Sequence, residues 1–284
     1  MKLATFTVGL ALEIGVVEGD RVISLSRPAP ALARDMIDLI ARWPQIEGEV
    51  RRIAKTGAHA LKLSDVVLKA PIARPGKILA IGLNYADHIA ESGQETPKEQ
   101  VWFCKQSTSV NGPFDPILLP KADRSIDYEV ELVAVIGAGG KHIAKADAAK
   151  AVFGYCVGND VSARRWQMMT PQWTLGKGFD THAPFGPWIT TADEVDPHAL
   201  NLRTFVNGEK RQDSNTKNLV FDIWDQIAHV SQAMTLEAGD LIFTGTPGGV
   251  GMAFRPPIFL RADDVVRLEI DGLGAIEAKC VAEA

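Results

Sequence analysis

Cysteine is scarce in this sequence, with three residues in a chain of 284 and no CxxC pair among them. Cys104, Cys156 and Cys280 lie far apart, which excludes a disulfide framework and fits a reducing compartment. Long apolar runs are also missing, because no segment approaches the roughly 18 to 20 apolar residues of a membrane span. These absences predict a cytoplasmic protein that has no membrane partner.

Positive charge is not in excess. The chain has 30 Lys and Arg residues against 35 Asp and Glu residues, which gives a formal net charge of -5 at pH 7. No Lys/Arg-rich run reverses this balance locally, so the sequence predicts no nucleic-acid partner. The length is sufficient to bury one large domain and a small one.

The pattern along the chain predicts two domains. Residues 1–72 indicate a small N-terminal α/β domain, with a β-hairpin that turns at "EGD" and a helical stretch over about residues 35–54. The segment "APIARPGK" is the predicted linker. Residues 76–284 alternate strand-like runs with proline and glycine turns, and two helices are predicted, in "KADAAKAVF" and "LVFDIWDQIAHVSQAM". This mixture favours the α+β class over a doubly wound α/β fold.

Carboxylates interrupt the start of a core strand in "DYEVELVAVIG". Alternation along a strand places Glu129 and Glu131 on one face, where two anions repel unless a cation separates them. Asp160 follows another strand-like run in "GYCVGND" and offers a third oxygen ligand. Three carboxylates without His or Cys suit a hard cation such as Mg²⁺. Solvated acids on an edge strand and a turn-capping Asp explain the same spacing.

Cationic and amide side chains follow these acids. If the segment after Asp160 is helical, Arg164 and Gln167 face the same side as the proposed metal site. Lys177 lies in a glycine-flanked stretch, "LGKGF". Such cations hold an anionic substrate or stabilise an enolate. A surface ion pair for Arg164 and a turn position for Lys177 are the alternatives.

A candidate base lies in "GLNYADHIAESG", where His88 and Glu91 are three residues apart and therefore neighbours on a helix. A carboxylate that accepts from one ring nitrogen leaves the other nitrogen as a base. The same pairing arises by chance on surface helices. The glycine-rich "TGTPGGVG" offers backbone N–H groups and the Thr246 hydroxyl for a carboxylate, although a plain tight turn explains it equally well.

Taken in order, the motifs "GLNYADHIAE", "DYEVEL", "GNDVSARRWQ", "GKGFDTHAPFGPWI" and "GDLIFTGTPGGVG" resemble the fumarylacetoacetate hydrolase family over about residues 76–284. The resemblance implies mixed β-sheets rolled around the active site with flanking helices, in a homodimer. It also implies Mg²⁺ or Mn²⁺ held by Glu129, Glu131 and Asp160.

The resemblance further assigns substrate contacts and a base. The positions that match the family's substrate-contacting residues are Arg164, Gln167, Lys177 and Thr246. His88 and Glu91 match the base and its orienting carboxylate, on a segment that closes over ligand as a lid. The sequence departs from the usual family pattern at Cys104, Arg165, Trp166 and His182, which leaves the identity of the substrate open.

The implied reaction is hydrolysis of a carbon–carbon bond in an acylpyruvate or related β-diketo acid through a metal-stabilised enolate, with Lys177 meeting the charge. The same set of residues suits decarboxylation of oxaloacetate or isomerisation of 2-hydroxyhepta-2,4-diene-1,7-dioate. A non-catalytic metal and dicarboxylate binder is the alternative from another class. In each case the expected partner is a small anionic oxo acid.

Overall fold

The computed structural model describes residues 1–93 and 95–284. The N-terminal elements are β1 Lys2–Val8, β2 Ala11–Glu18, β3 Arg21–Ser24, α1 Met36–Ala41, α2 Trp43–Thr56, β4 Ala60–Lys62 and β5 Val67–Lys69. The next elements are β6 Ile78–Gly82, α3 Ala86–Ser92, β7 Val101–Lys105, β8 Val110–Asn111, β9 Ile117–Leu119, β10 Ile126–Asp127, β11 Val130–Ile136, α4 Ala148–Ala151, β12 Val152–Asn159 and β13 Ser162–Ala163. The remaining elements are α5 Arg164–Met168, α6 Thr174–Lys177, β14 Ala183–Thr191, β15 Asn201–Val206, β16 Glu209–Asn215, α7 Ile223–Ala233, β17 Leu241–Phe243, β18 Val265–Ile270 and β19 Gly274–Ala282.

Two large sheets dominate the described part of the chain. The larger runs in the order β4-β3-β2-β1-β14-β12-β11-β17-β6-β7, with β5 pairing with β1 and β8 pairing with β14 beside this path. The smaller runs in the order β16-β15-β18-β19-β9. Most pairs are antiparallel, whereas β17 with β6, β14 with β8 and β19 with β9 are parallel. Mixed sheets with few helices confirm the predicted α+β class.

Strand β11 is the central strand that carries the acidic residues at its start. It pairs with β12 on one side and β17 on the other, and all seven of its residues are buried. Leu132 and Ala134 pack in the cluster that contains the inner residues of the five-stranded sheet, while Val133 packs in the cluster that contains residues of α1 and α2. Cover on both faces explains the unbroken apolar run. The alternation places Glu131 on the Val133 side.

The N-terminal residues share their sheet and core with the rest of the chain. Leu3 of β1 pairs with Ile189 of β14, and Leu39 and Val50 pack in the same cluster as Val133. The division into domains at residues 72 and 76 therefore stays a prediction. The hairpin turn at "EGD" is confirmed by the pairing of β2 with β3.

The helical stretch predicted over residues 35–54 is two helices rather than one. The break falls at Arg42, which ends α1 and begins α2. Pro44 in the first turn of α2 explains the new start, because proline lacks the N–H group that a continuing helix would need. The two helices predicted later in the chain are present as α4 and α7, although α4 ends at Ala151 and Val152 already belongs to β12.

Among the described residues, no helix has the length and apolar character needed to cross a membrane. No pair of cysteines is bonded there either, since all three are free thiols.

Candidate active site

The three predicted metal ligands meet where β11 begins and β12 ends. The strands are antiparallel, with Glu131 opposite Gly158, and the Asp160 N–H donates to the Glu129 carbonyl at 3.0 Å. One oxygen from each of Glu129, Glu131 and Asp160 lies within 4.8 Å of the others, and all three residues are buried. Sheet register thus brings together acids from two segments, as the sequence predicted.

Glu129 is compensated by two cations of the protein. The Lys177 ammonium donates to Glu129 Oε2 at 2.7 Å and to Asp160 Oδ2 at 2.6 Å, and Arg164 lies 2.6 Å from Glu129 Oε1. Burial alone would raise the pKa of Glu129, but Lys177 and Arg164 outweigh it and hold that pKa at about 2. Glu129 is therefore ionised at neutral pH.

Glu131 lacks such compensation. Its Oε2 accepts from the Gly245 N–H at 2.8 Å, and within the described residues it forms no ion pair with a lysine, arginine or histidine. Burial, followed by repulsion from Asp160 and Glu129, raises the pKa of Glu131 well above its usual range. A buried carboxylate without a cation is costly. Three carboxylate oxygens without sulfur or nitrogen are a donor set that suits a hard divalent cation.

Lys105 is a buried cation of the site that the sequence analysis did not single out. It is 3% exposed and donates to Asp160 Oδ1 at 2.6 Å and to the carbonyls of Val161 at 3.2 Å and Lys177 at 2.5 Å. Lys105 thereby fixes a proposed metal ligand relative to Lys177. Burial lowers the pKa of Lys105 despite the nearby Asp160. Lys105 lies two residues after Phe103 on β7, and both side chains are buried. Strand alternation could therefore have predicted that Lys105 faces the interior.

Asp127 is a second residue whose contribution the sequence did not indicate. Its Oδ2 accepts from Arg164 Nε at 2.9 Å and from the Met252 N–H at 3.0 Å. Its Oδ1 accepts from the Gly251 N–H at 2.8 Å. Asp127 therefore connects Arg164 to the turn at residues 251–253. Arg164 also donates to Gln167 Oε1 at 3.0 Å, so the two residues predicted on one helical face are in contact in α5.

His88 and Glu91 lie on α3, as predicted, and His88 Nδ1 is 3.3 Å from Glu91 Oε1. An ionised carboxylate only accepts, so this contact assigns the proton to Nδ1 and leaves Nε2 with a lone pair that can accept a proton. Glu91 Oε2 also accepts from the Gly249 N–H at 2.7 Å. Asp87 Oδ2 accepts from the Ser214 hydroxyl at 2.5 Å. The first contact holds α3 against the glycine-rich loop, and the second holds it against β16.

The N–H groups of the glycine-rich loop were candidates for binding a substrate carboxylate. Several of these groups donate instead to carboxylates of the protein, and the pairs are Gly245 with Glu131, Gly248 with Asp87, Gly249 with Glu91, and Gly251 with Asp127. Gly249 has φ +96°, and a Cβ there would lie 2.0 Å from the Arg211 carbonyl. The loop is therefore a scaffold for the site's own acids.

One cavity of about 300 Å³ joins these groups. The predicted site residues that line it are His88, Glu91, Glu129, Glu131, Arg164, Gln167, Lys177 and Thr246, whereas Asp160 lies behind them. The Thr246 hydroxyl accepts from Gln212 Nε2 at 2.9 Å. Phe103, Trp173 and Met252 add an apolar wall. The Trp173 ring packs so close to Gly82 that a Cβ there would lie 2.3 Å from it.

Comparison with known proteins identifies relatives of the whole chain. Residues 77–281 match the family described as "Fumarylacetoacetate (FAA) hydrolase C-terminal". The chain is 44% identical over 274 residues to a protein of Rattus norvegicus named "Oxaloacetate tautomerase Fahd2a, mitochondrial", with 96% of this chain and 87% of the relative covered.

Two solved structures are similar over their full lengths. Maleylpyruvate hydrolase from Sphingobium sp. SYK-6, in complex with manganese(II) and pyruvate, has a TM-score of 0.83 at 35% identity, with 100% of each chain covered. The 2-hydroxyhepta-2,4-diene-1,7-dioate isomerase from Mycobacterium marinum has a TM-score of 0.79 at 32% identity, with 100% of this chain and 99% of that chain covered.

The two glutamates should respond oppositely to neutralisation in metal-free protein. Glu131→Gln removes an uncompensated buried charge while an amide oxygen can still accept from Gly245, so we expect a higher midpoint of thermal unfolding in chelator. Glu129→Gln removes one of the two carboxylate partners of both Lys177 and Arg164, which keep Asp160 and Asp127, and should cost up to about 3–5 kcal/mol. Unfolding followed by calorimetry in chelator and in Mn²⁺ measures both.

The pH dependence of this effect has a defined sign. Because the pKa of Glu131 is raised on folding, metal-free wild-type protein should lose stability as pH rises above the ordinary carboxyl range. Mn²⁺ should restore stability to wild type and leave Glu131→Gln nearly unchanged. A Glu131→Gln protein that Mn²⁺ stabilises as strongly as wild type would contradict the assignment of Glu131 as a ligand.

Proposed function

The chain belongs to the fumarylacetoacetate hydrolase family, and from that premise we propose that it is an enzyme that enolises a small 2-oxo acid with a divalent cation. The observation that supports this proposal best is that the His88–Glu91 pair lines the same cavity as Glu129 and Glu131. A base beside a cation site is the arrangement that proton removal next to a keto group requires.

Each residue has a role in this proposal. A Mg²⁺ or Mn²⁺ ion, held by Glu129, Glu131 and Asp160, would supply a Lewis acid and a template for the oxygens of a 2-oxo acid. His88 Nε2 takes the proton, and Glu91 holds the opposite ring nitrogen. Burial lowers the pKa of Lys177, but attraction to Asp160 and Glu129 outweighs burial and raises that pKa overall. Lys177 therefore stays charged.

The remaining polar groups orient the substrate. The Lys177 ammonium meets the negative charge that develops on the enolate oxygen. Arg164, Gln167 and Thr246 are proposed to contact substrate, and each lines the cavity.

The first candidate reaction is keto–enol tautomerisation of oxaloacetate, the reaction for which the relative from Rattus norvegicus is named. His88 removes a proton from C3, the C–H electron pair forms the carbon–carbon double bond, and the carbonyl pair moves to the oxygen, which then takes the proton from protonated His88. This reaction needs one base and no water. It makes the smallest demand on the groups that line the cavity.

The second candidate is hydrolysis of an acylpyruvate, as predicted from the sequence. It is favoured by the likeness to maleylpyruvate hydrolase and by a base that can accept a proton from water. Water attacks the distal carbonyl as His88 takes its proton, the carbon–carbon bond breaks, and the pyruvate enolate is protonated to give pyruvate and a carboxylic acid. A homodimeric state and a cytoplasmic location stay predictions.

A substrate screen distinguishes these reactions. Purified protein with Mg²⁺ or Mn²⁺ should change the ultraviolet absorbance of oxaloacetate enol without loss of oxaloacetate if it is a tautomerase. It should release pyruvate and a carboxylic acid from acylpyruvates if it is a hydrolase, and carbon dioxide from oxaloacetate if it is a decarboxylase. A chelator should abolish any of these. Uptake of Mn²⁺ without turnover of any oxo acid, including hydroxy-diene diacids, would favour a binding protein instead.

The base can be tested separately from the metal. His88→Gln should lower kcat about 100-fold or more, because it removes the proton acceptor, whereas Mn²⁺ affinity measured by calorimetry should change little. His229→Gln is the matched control, since His229 is an exposed residue of α7 that does not line the cavity. Full activity of His88→Gln on the substrate identified in the screen would exclude His88 as the base.

A further inference from the structure

Two charged side chains of the cavity stand apart from the rest. His88 pairs with Glu91, and Arg164 and Lys177 pair with Glu129. Among the residues that the structure describes, the cavity-lining charges that lack an ion pair are Glu131 and Arg255. The first is an anion that the proposed divalent cation would neutralise. The second is a cation that forms no ion pair with any carboxylate of the described residues.

The Arg255 guanidinium is anchored along one side and free along the other. Its Nη1 donates to the carbonyls of Met252 at 3.4 Å, Ala253 at 3.4 Å and Phe254 at 3.2 Å. Its Nε and Nη2 have no partner among the residues in the described ranges. Nε and Nη2 form the edge through which arginine binds a carboxylate with two parallel hydrogen bonds. The free edge therefore has the geometry of an anion receptor.

The turn that carries Arg255 is held by the charged cluster of the site. Asp127 accepts from the N–H groups of Gly251 at 2.8 Å and Met252 at 3.0 Å, and it also accepts from Arg164. The turn is closed on its other side by the Ile258 N–H, which donates to the Gly251 carbonyl at 2.9 Å. The Asp127 carboxylate that positions Arg164 against Glu129 therefore also holds the turn that precedes Arg255.

We propose that Arg255 binds the distal carboxylate of a 2-oxo diacid whose oxo-acid end is held at the three-carboxylate site. This inference rests on the proposed function, because the oxo-acid end is placed by it. The diacid would neutralise Arg255, the cation would neutralise Glu131, and the apolar wall of Phe103, Trp173 and Met252 would contact the carbon chain. The protein would then bind 2-oxo diacids more tightly than 2-oxo monoacids of equal length.

Binding of stable oxo acids tests the subsite without depending on turnover. Calorimetry with Mn²⁺-loaded protein compares 2-oxoglutarate, 2-oxoadipate and 2-oxopimelate with 2-oxopentanoate, 2-oxohexanoate and 2-oxoheptanoate, in which a methyl group replaces the distal carboxylate. We expect wild type to bind the diacid at least about tenfold more tightly at the chain length that reaches Arg255. Arg255→Gln should reduce that ratio to about twofold or less. Arg255→Lys should retain part of it.

Arg261→Gln is the matched control, because Arg261 is an exposed arginine of the same segment that does not line the cavity. It should keep the wild-type ratio, which separates a specific contact from a general effect of charge. A diacid preference that survives Arg255→Gln, or equal binding of both series to wild type, would overturn the subsite while leaving the proposed function intact. Absence of Mn²⁺-dependent binding by every oxo acid would instead overturn the proposed function.

Discussion

The charge of the buried Glu131 carboxylate is the constraint on which the site depends. The buried cluster contains four carboxylates and three cations, namely Asp127, Glu129, Glu131 and Asp160 with Lys105, Arg164 and Lys177. Every cation contacts at least one carboxylate other than Glu131, so the unmatched negative charge falls on that residue. Burial of an unmatched charge is unfavourable. Uptake of a doubly charged cation or of a proton relieves it, and the donor set favours the cation.

The same cluster positions groups outside the metal site. Asp127 holds the turn at residues 251–253, Lys105 holds the carbonyl of Lys177, and Gly245 donates to Glu131. Glu91 has a comparable double role, since it orients His88 and accepts from Gly249. The carboxylates therefore organise the loops in addition to their proposed role as metal ligands. A change in their charge will move backbone segments as well as alter affinity for the cation.

The sequence was informative where a local rule fixes the position of a side chain. Alternation along the predicted strand placed Glu129 and Glu131 on one face, and helical spacing placed His88 beside Glu91 and Arg164 beside Gln167. It was uninformative about Lys105, whose contact with Asp160 joins strands that are not neighbours in the sheet. Lys105 and Asp160 are 55 residues apart, and neither belongs to a motif that names the other.

The scaffold role of the glycine-rich loop was also not predicted, because it depends on contacts between distant segments. Its N–H groups were correctly identified as anion donors from the turn composition. Their partners could not be predicted, because Glu91, Asp127 and Glu131 reach the loop only through the packing of α3, β10 and β11. The break between α1 and α2 was readable in principle, since Pro44 cannot continue a helix that begins before it.

Charge also determines the order in which ligands can bind. Without a divalent cation and with Glu131 ionised, the carboxylate of an oxo acid would approach a cluster that carries one net negative charge, and it would meet Glu131 in the cavity. With the cation in place, the same cluster carries one net positive charge and attracts the anion. The cluster is buried and poorly screened, whereas Arg255 is exposed. The change from repulsion to attraction at the cluster would therefore affect an anion more strongly than the attraction of Arg255. On the proposed function, the cation would therefore be a precondition for oxo-acid binding, and Arg255 would select which oxo acid is held.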